Sequence, residues 1–203
     1  MLLLPAGPAK LRVIQTLLRM TEKETTRVSK FLSLVLRHEP QRIGITLDES
    51  GWTSVDALLE GLNRHGLAIT FPDLQHVVTT NPKRRFAFSE DGKMLRANQG
   101  HSIEVDLGFT PQQPPHVLYH GTAEKNIASI LESGLQKRQR HHVHLSAEEE
   151  TAMAVGRRYG KPVVLEINTA EMYKAGHVFF LSENGVWLVD EVPPVYINDK
   201  RTQ

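Results

Sequence analysis

The sequence predicts an α+β protein built in two parts. Three observations carry this: helical periodicity leading into a hairpin signal, a proline-rich break at 110–116, and alternating strand-like and helix-like segments from 117 onward. The chain has 203 residues, 40% of them hydrophobic, enough for two modest cores. A net charge of +1 leaves the whole-molecule field weak, so any anion binding must come from local clustering. With no cysteine, disulfides, thiolate metal sites and cysteine nucleophiles are excluded. No apolar run approaches the roughly 20 residues of a membrane helix. A cytoplasmic monomer without membrane contact is expected.

Residues 1–21 read as an extension of unknown role, with one short helix at 10–20. "MLLLPAGPAK" lacks the charged start and long apolar block of a signal peptide. The first lobe spans 22–110. Val28, Phe31, Leu32 and Val35 recur at helical spacing, and Pro40 closes that helix, leaving Arg37 and His38 at its last turn. "ITLDESGW" reads as a short strand and turn. "TSVDALLEGLNRHG" follows as a helix capped by Thr53 or Ser54 and stopped by Gly66. "TFPDLQHVVTTNP" is a third helix, with Thr70 as its cap. In "RRFAFSEDGKMLRA", Phe86 and Phe88 share a face and Asp91-Gly92 supplies a hairpin turn. Helices followed by a two-stranded wing describe a winged helix.

The linker is placed at 111–116 and the second lobe at 117–203. There, strands "VLYHG", "HVHLS" and "PVVLEIN" alternate with helices "AEKNIASILESG" and "AEEETAMAVGRRYG". Shorter strands at "HVFFLS", "GVWLV" and "PVYI" complete it.

The chemistry concentrates in a few motifs. In "RQRHHVHLS", residues 138–146, strand alternation puts Arg140, His142, His144 and Ser146 on one face, with Val143 and Leu145 opposite. That face is either a solvated edge or a row of phosphate-compatible donors. Zinc is disfavoured, because no third ligand is spaced to join His142 and His144. "LYHGT" ends a strand in a donor-rich corner, with Gly121 permitting close backbone approach to a ligand or simply making a turn. In "LRH", Arg37 can fork onto phosphate oxygens and His38 can shuttle a proton; both also suit a helix C-terminus, which alone explains them better. Arg85 of "KRRF" is a phosphate clamp or a solvated strand residue. "RANQGHS", with Arg96, Gln99, Gly100, His101 and Ser102, reads as a polar binding loop. Six of the ten histidines fall between 101 and 144, which favours a shared anionic site.

Taken together, "SKFLSLVLRHEP", "GWTSVDALL", "RFAFSEDG…RANQGHS", "LYHGT", "RHHVHLS" and "VWLVDEVPP" resemble the RNA 2′-phosphotransferases of the KptA type, over roughly residues 25–197. The resemblance implies a winged-helix lobe followed by a lobe similar to ADP-ribosyltransferases. It implies NAD as a consumed co-substrate, no metal, and a tRNA-like RNA carrying an internal 2′-phosphate as partner. The implied reaction proceeds through an ADP-ribosylated RNA phosphate to RNA 2′-OH, nicotinamide and ADP-ribose 1″,2″-cyclic phosphate. Carried over by motif, Arg37, His38, Arg85 and Arg140 form the catalytic set. His120, Gly121, Thr122, His144 and Ser146 bind NAD, and Arg96, Gln99, Gly100, His101 and Ser102 contribute RNA contacts. Glu191 stays outside the catalytic set, His141 reads as structural, and the role of His142 is open.

Two other functions fit parts of the sequence. An ADP-ribosyltransferase for another acceptor would share the NAD half without needing Arg37, His38 and Arg85. A winged-helix nucleic-acid regulator would need basic or amide side chains on its reading helix, and "FPDLQHVVTTNP" offers few.

Overall fold

In the computed structural model, which describes residues 20–199, the first described helix starts at Glu22 behind the N-cap Thr21. Thr21 and Glu24 form a capping box: the Glu24 N–H donates to Thr21 Oγ1 at 3.3 Å and the Thr21 N–H to Glu24 Oε2 at 2.7 Å. The extension and its expected helix at 10–20 lie outside the described residues, except Met20. Helices and several small antiparallel sheets make up the described chain. It divides into two compact units, one running to Asp48 and over Trp52–Ala97, the other comprising Glu49–Gly51 and Asn98 onward.

In the first unit, helix α1 (Glu22–Arg37) buries Val28, Leu32, Val35 and Leu36 along one stripe. Each such aliphatic side chain contributes about 1.5–3 kcal/mol on burial. Pro40 starts a 3₁₀ turn (Pro40–Ile43) and ends α1 as expected. Helix α2 (Val55–Arg64) is capped by Ser54, whose Oγ accepts from the Ala57 N–H. Helix α3 (Phe71–Thr79) starts where Thr70 donates to the Asp73 carboxylate. Strands β2 (Phe86–Phe88) and β3 (Met94–Ala97) pair antiparallel, Phe88 opposite Leu95, around a turn with Gly92 at φ 73°.

"ITLDESGW" is not a strand. Asp48 and Trp52 close a loop instead: the Asp48 N–H donates to the Trp52 carbonyl and the Trp52 N–H to Asp48 Oδ1. The third strand is the two-residue β1 (Thr53–Ser54), against β3. A short aspartate-led loop satisfied its own backbone before a ladder could form.

In the second unit, strands β4 (Leu118–Ala123), β5 (Leu135–Gln136), β6 (Val143–Leu145) and β7 (Pro162–Ile167) are interspersed along the chain with helices α4 (Ile127–Ser133) and α5 (Glu149–Gly156). Helix α6 (Thr169–Lys174) was not anticipated. It precedes β8 (Phe179–Leu181), β9 (Trp187–Val189), β10 (Glu191–Val192) and β11 (Ile197–Asp199). The expected strand "PVYI" is split: Pro194–Tyr196 form a 3₁₀ turn and pairing begins at Ile197. The sheets are ordered β11-β7-β4, β6-β9-β8 and β10-β5, all antiparallel. Backbone bonds between Tyr119 and Ser146, both 2.8 Å, join β4 to the start of the segment after β6.

Residues 98–110 group with this second unit, although the sequence reading placed them in the first. The Asp106 N–H reaches the Glu49 carbonyl at 2.7 Å, and the expected linker is tied down where the Gln112 N–H meets the Phe179 carbonyl at 2.8 Å. Helix α5 is shorter than its sequence pattern. Gly156 is pressed against β4, where an added Cβ would lie 2.6 Å from the Thr122 carbonyl, and "RRYG" turns away from the helix.

Candidate active site

The strand alternation in "HVHLS" holds over three residues. Val143 and Leu145 are buried in the core of the second unit and His144 points the other way, half-buried. Register then sets its neighbours. His144 pairs with Leu188 on β9, and Leu188 with Phe180 on β8, so the three side chains form one row across the sheet. This row floors a cavity of about 180 Å³, lined also by Gln99, Gly100, His101, Phe109, His141 and His142. Three of its rings face one another: His142 lies 5.5 Å from Phe180 and 6.5 Å from Phe109, and the two phenylalanines are 6.4 Å apart.

The alternation fails upstream of Val143, which corrects the reading of His141. Arg138 has φ 53° and the Arg140 N–H donates to the Lys137 carbonyl, so 137–140 form a turn, not strand. His141, His142 and His144 consequently line the same cavity, whereas alternation had set His141 apart. Lys137 is anchored by an ion pair with Asp190.

Two hydrogen bonds fix imidazole tautomers. A guanidinium only donates, so at 3.1 Å from Arg140 Nη1 the Nδ1 of His144 must accept, leaving its proton on Nε2. A carbonyl only accepts, so His120 Nδ1, 3.1 Å from the His144 carbonyl, must carry a proton, and its Nε2 is the acceptor. Burial, partly opposed by that hydrogen bond, lowers the His120 pKa and favours this neutral form. Burial also lowers the pKa of His142, assisted by the positive charge of His141 and opposed by Asp190. The pair His120 and His144 thus offers one ring acceptor and one ring donor.

Other residues of "LYHGT" and "HLS" have structural engagements. An ideal Cβ on Gly121 would fall 1.7 Å from the Ala152 carbonyl of α5, so helix packing alone demands glycine there. Thr122 is buried and its Oγ1 accepts from Asn126 Nδ2 at 3.2 Å, holding the turn after β4. Ser146 is half-buried in its backbone pairing with Tyr119. Of the polar loop, Gln99, Gly100 and His101 line the cavity, while Ser102 is exposed.

In the first unit, Arg37 ends α1 and His38 caps it, its N–H donating to the Leu34 carbonyl. Both are half-buried, and Arg37 Nε and Nη2 are enclosed. Arg85 is aimed by a chain of hydrogen bonds invisible to sequence periodicity. Its Nη1 donates to Asn81 Oδ1 at 3.2 Å, and Asn81 Nδ2 donates to Ser29 Oγ on α1 at 2.8 Å. Desolvation lowers the Arg85 pKa, but a guanidinium remains charged. Arg96 stacks on Trp52, with Cζ 4.5 Å from the ring centroid, which gives it a packing partner. Among the described residues, no helix is long and apolar enough to cross a membrane.

The model of the RNA 2′-phosphotransferase, Tpt1 / KptA family matches residues 23–191. The chain belongs to this family. A probable RNA 2′-phosphotransferase of Trichormus variabilis is 51% identical over 179 residues, covering 88% of this chain and 98% of that protein. One from Rhodopirellula baltica is 53% identical over 177 residues, with 87% and 96% covered. One from Pseudomonas aeruginosa is 52% identical over 181 residues, with 89% and 100% covered. For this member of the RNA 2′-phosphotransferase family, the matched span contains the cavity and every site residue predicted from the sequence.

Proposed function

We propose that the chain is an NAD-consuming RNA 2′-phosphotransferase acting on RNA with an internal, tRNA-like 2′-phosphate. In this reading the two units are the winged-helix and ADP-ribosyltransferase-like lobes, and the protein works as a cytoplasmic monomer. NAD supplies an electrophilic ribose carbon: a 2′-phosphate oxygen bonds to it as the bond to nicotinamide breaks. The ribose 2″-hydroxyl then bonds to phosphorus and the bond to the RNA 2′-oxygen breaks, giving RNA 2′-OH and ADP-ribose 1″,2″-cyclic phosphate.

The chain's own residues have matching tasks. The attacking phosphate is already a nucleophile, so no strong base is needed in the first step. The second builds charge around phosphorus, which suits arginines. Arg37, Arg85 and Arg140 are assigned as clamps on phosphate oxygens, each such bond worth about 1.5–3 kcal/mol. His38 is assigned as general acid for the departing 2′-oxygen. On the NAD side, His144 and His120 offer a ring donor and a ring acceptor, and Phe109, His142 and Phe180 give the cavity ring-lined walls. Gly121, Thr122 and Ser146 serve NAD through backbone position, and Gln99 to Ser102 with Arg96 face RNA.

The observation that carries this reading is the family match, which spans the cavity and both ends of the predicted site. What supports the residue roles is the Arg140–His144 bond, a permanent cation coupled to a ring of the cavity floor. The test is incubation with NAD and a short RNA bearing one internal 2′-phosphate, following nicotinamide release and phosphate loss. Loss that proceeds equally without NAD, or not at all, overturns it.

A further inference from the structure

A second feature of the second unit is left unused by that chemistry. Helix α5 ends at Gly156, and Arg157, Arg158, Tyr159 and Lys161 follow in a tight turn before β7. The backbone there is held: the Arg157, Arg158 and Tyr159 N–H groups donate to the carbonyls of Met153, Val155 and Gly156 at 3.1, 3.2 and 3.0 Å. Gly156 packs closely on β4, where an added Cβ would lie 2.6 Å from the Thr122 carbonyl. All four side chains are exposed, and Tyr159, at 54%, is the most exposed aromatic among the described residues. Among those residues neither Arg157 nor Arg158 forms an ion pair. The nearby carboxylate, Glu124, is taken by Lys161 at 3.1 Å, and Lys125 beside it adds a further exposed cation.

Favourable cations at a helix C-terminus explain one arginine. They do not explain an aromatic ring kept in water next to a second arginine and a lysine. Clustered cations around an exposed ring are the chemistry of single-stranded nucleic acid binding: the cations meet phosphates and the ring stacks on a base. A weak whole-molecule field makes such a cluster the stronger attractor. Position agrees. The Glu124 N–H donates to the Lys161 carbonyl, so the turn closes just past Ala123, the last residue of β4 and three strand residues beyond His120. That is about 10–13 Å, or about three to four phosphates along a stacked strand.

We propose that the Arg157–Lys161 turn is a contact surface for single-stranded RNA, gripping nucleotides that flank the 2′-phosphate. The proposal rests on the RNA-directed reading above. The test uses the full chain and two RNAs, a trinucleotide with a central 2′-phosphate and a strand of about 14 nucleotides carrying the same group. Binding is read by fluorescence anisotropy without NAD at several salt concentrations, and turnover with NAD. For the long RNA, the double variant Arg157→Ala, Arg158→Ala should raise Kd and KM roughly tenfold with kcat unchanged. Its salt slope should become shallower by about 1.4, near 0.7 for each phosphate that an arginine no longer neutralises. Tyr159→Ala should weaken long-RNA binding roughly tenfold with the salt slope intact. The trinucleotide should not distinguish the variants. Unchanged affinity and slope for the long RNA overturn the proposal, as do equal losses for both RNAs, which mean structural damage. If the wild type turns over neither RNA yet the variants still lose long-RNA binding, the RNA-binding turn stands and the proposed activity falls.

Discussion

The guanidinium of Arg140 donates to Nδ1 of His144 across 3.1 Å, and this one bond links an exposed cation to a ring on the cavity floor. Because arginine cannot accept, it dictates which nitrogen of His144 carries the proton. The tautomer is therefore open to direct measurement. Long-range ¹H–¹⁵N correlation spectra at neutral pH should show His144 protonated on Nε2 and His120 on Nδ1. In Arg140→Ala, His144 should relax to a mixture while His120 keeps its assignment. A His144 already mixed in the wild type contradicts the geometry.

The same arginine bears on reaction order. If it and His38 act at phosphorus, Arg140→Ala and His38→Ala should slow the second step more than the first. An ADP-ribosylated RNA should then build up, visible as a slower-migrating band. Loss of activity with no such species shows that the division of labour is wrong.

His120 makes stability depend on pH. Its folded pKa is depressed, chiefly by burial, so the unfolded chain binds the extra proton as pH falls. Its contribution is fully present above the unfolded value near 6.5 and is lost as pH drops through the lower folded value. His142 adds in the same direction. The urea midpoint should fall between about pH 7 and pH 5, and His120→Asn should flatten that dependence. An equally steep profile in the variant removes His120 as the cause.

Gly121→Ala tests whether packing or ligand approach requires the glycine. With the Ala152 carbonyl 1.7 Å from the new Cβ, α5 must shift away from β4. Overpacking of this kind costs about 1–3 kcal/mol or more, readable in urea unfolding without substrate. Stability within about 0.5 kcal/mol of wild type refutes the packing explanation.

The Arg85–Asn81–Ser29 chain should behave as a coupled unit. Asn81→Ala leaves a buried hydroxyl and a guanidinium short of a partner, at about 1–3 kcal/mol. A double-mutant cycle with Ser29→Ala should give a coupling energy of about 0.5 kcal/mol or more. Additive effects mean that the chain does not position Arg85.

Much of this protein was legible in residue order. Periodic burial placed α1 at Val28, Leu32 and Val35, and Asp91-Gly92 located the hairpin, because these signals depend on neighbours within a few positions. The helix stop at Pro40 and the inward faces of Val143 and Leu145 were equally local. Motif order also carried the family.

What tertiary structure alone decided depends on partners far away in sequence. Antiparallel pairing of β4 with β7 joins Leu118 to Ile167, and no local pattern announces direction. The His144–Leu188–Phe180 row exists only because three strands align in register, and it makes the cavity floor. His141 joined that cavity because a turn, not strand, precedes Val143. Local pattern gave no sign that Gly121 also makes room for a helix: a carbonyl some thirty residues away fills its side-chain space. Sequence thus determined which side chains are available, through local periodicity and motif. Long-range registry and close packing decided which of them face one another.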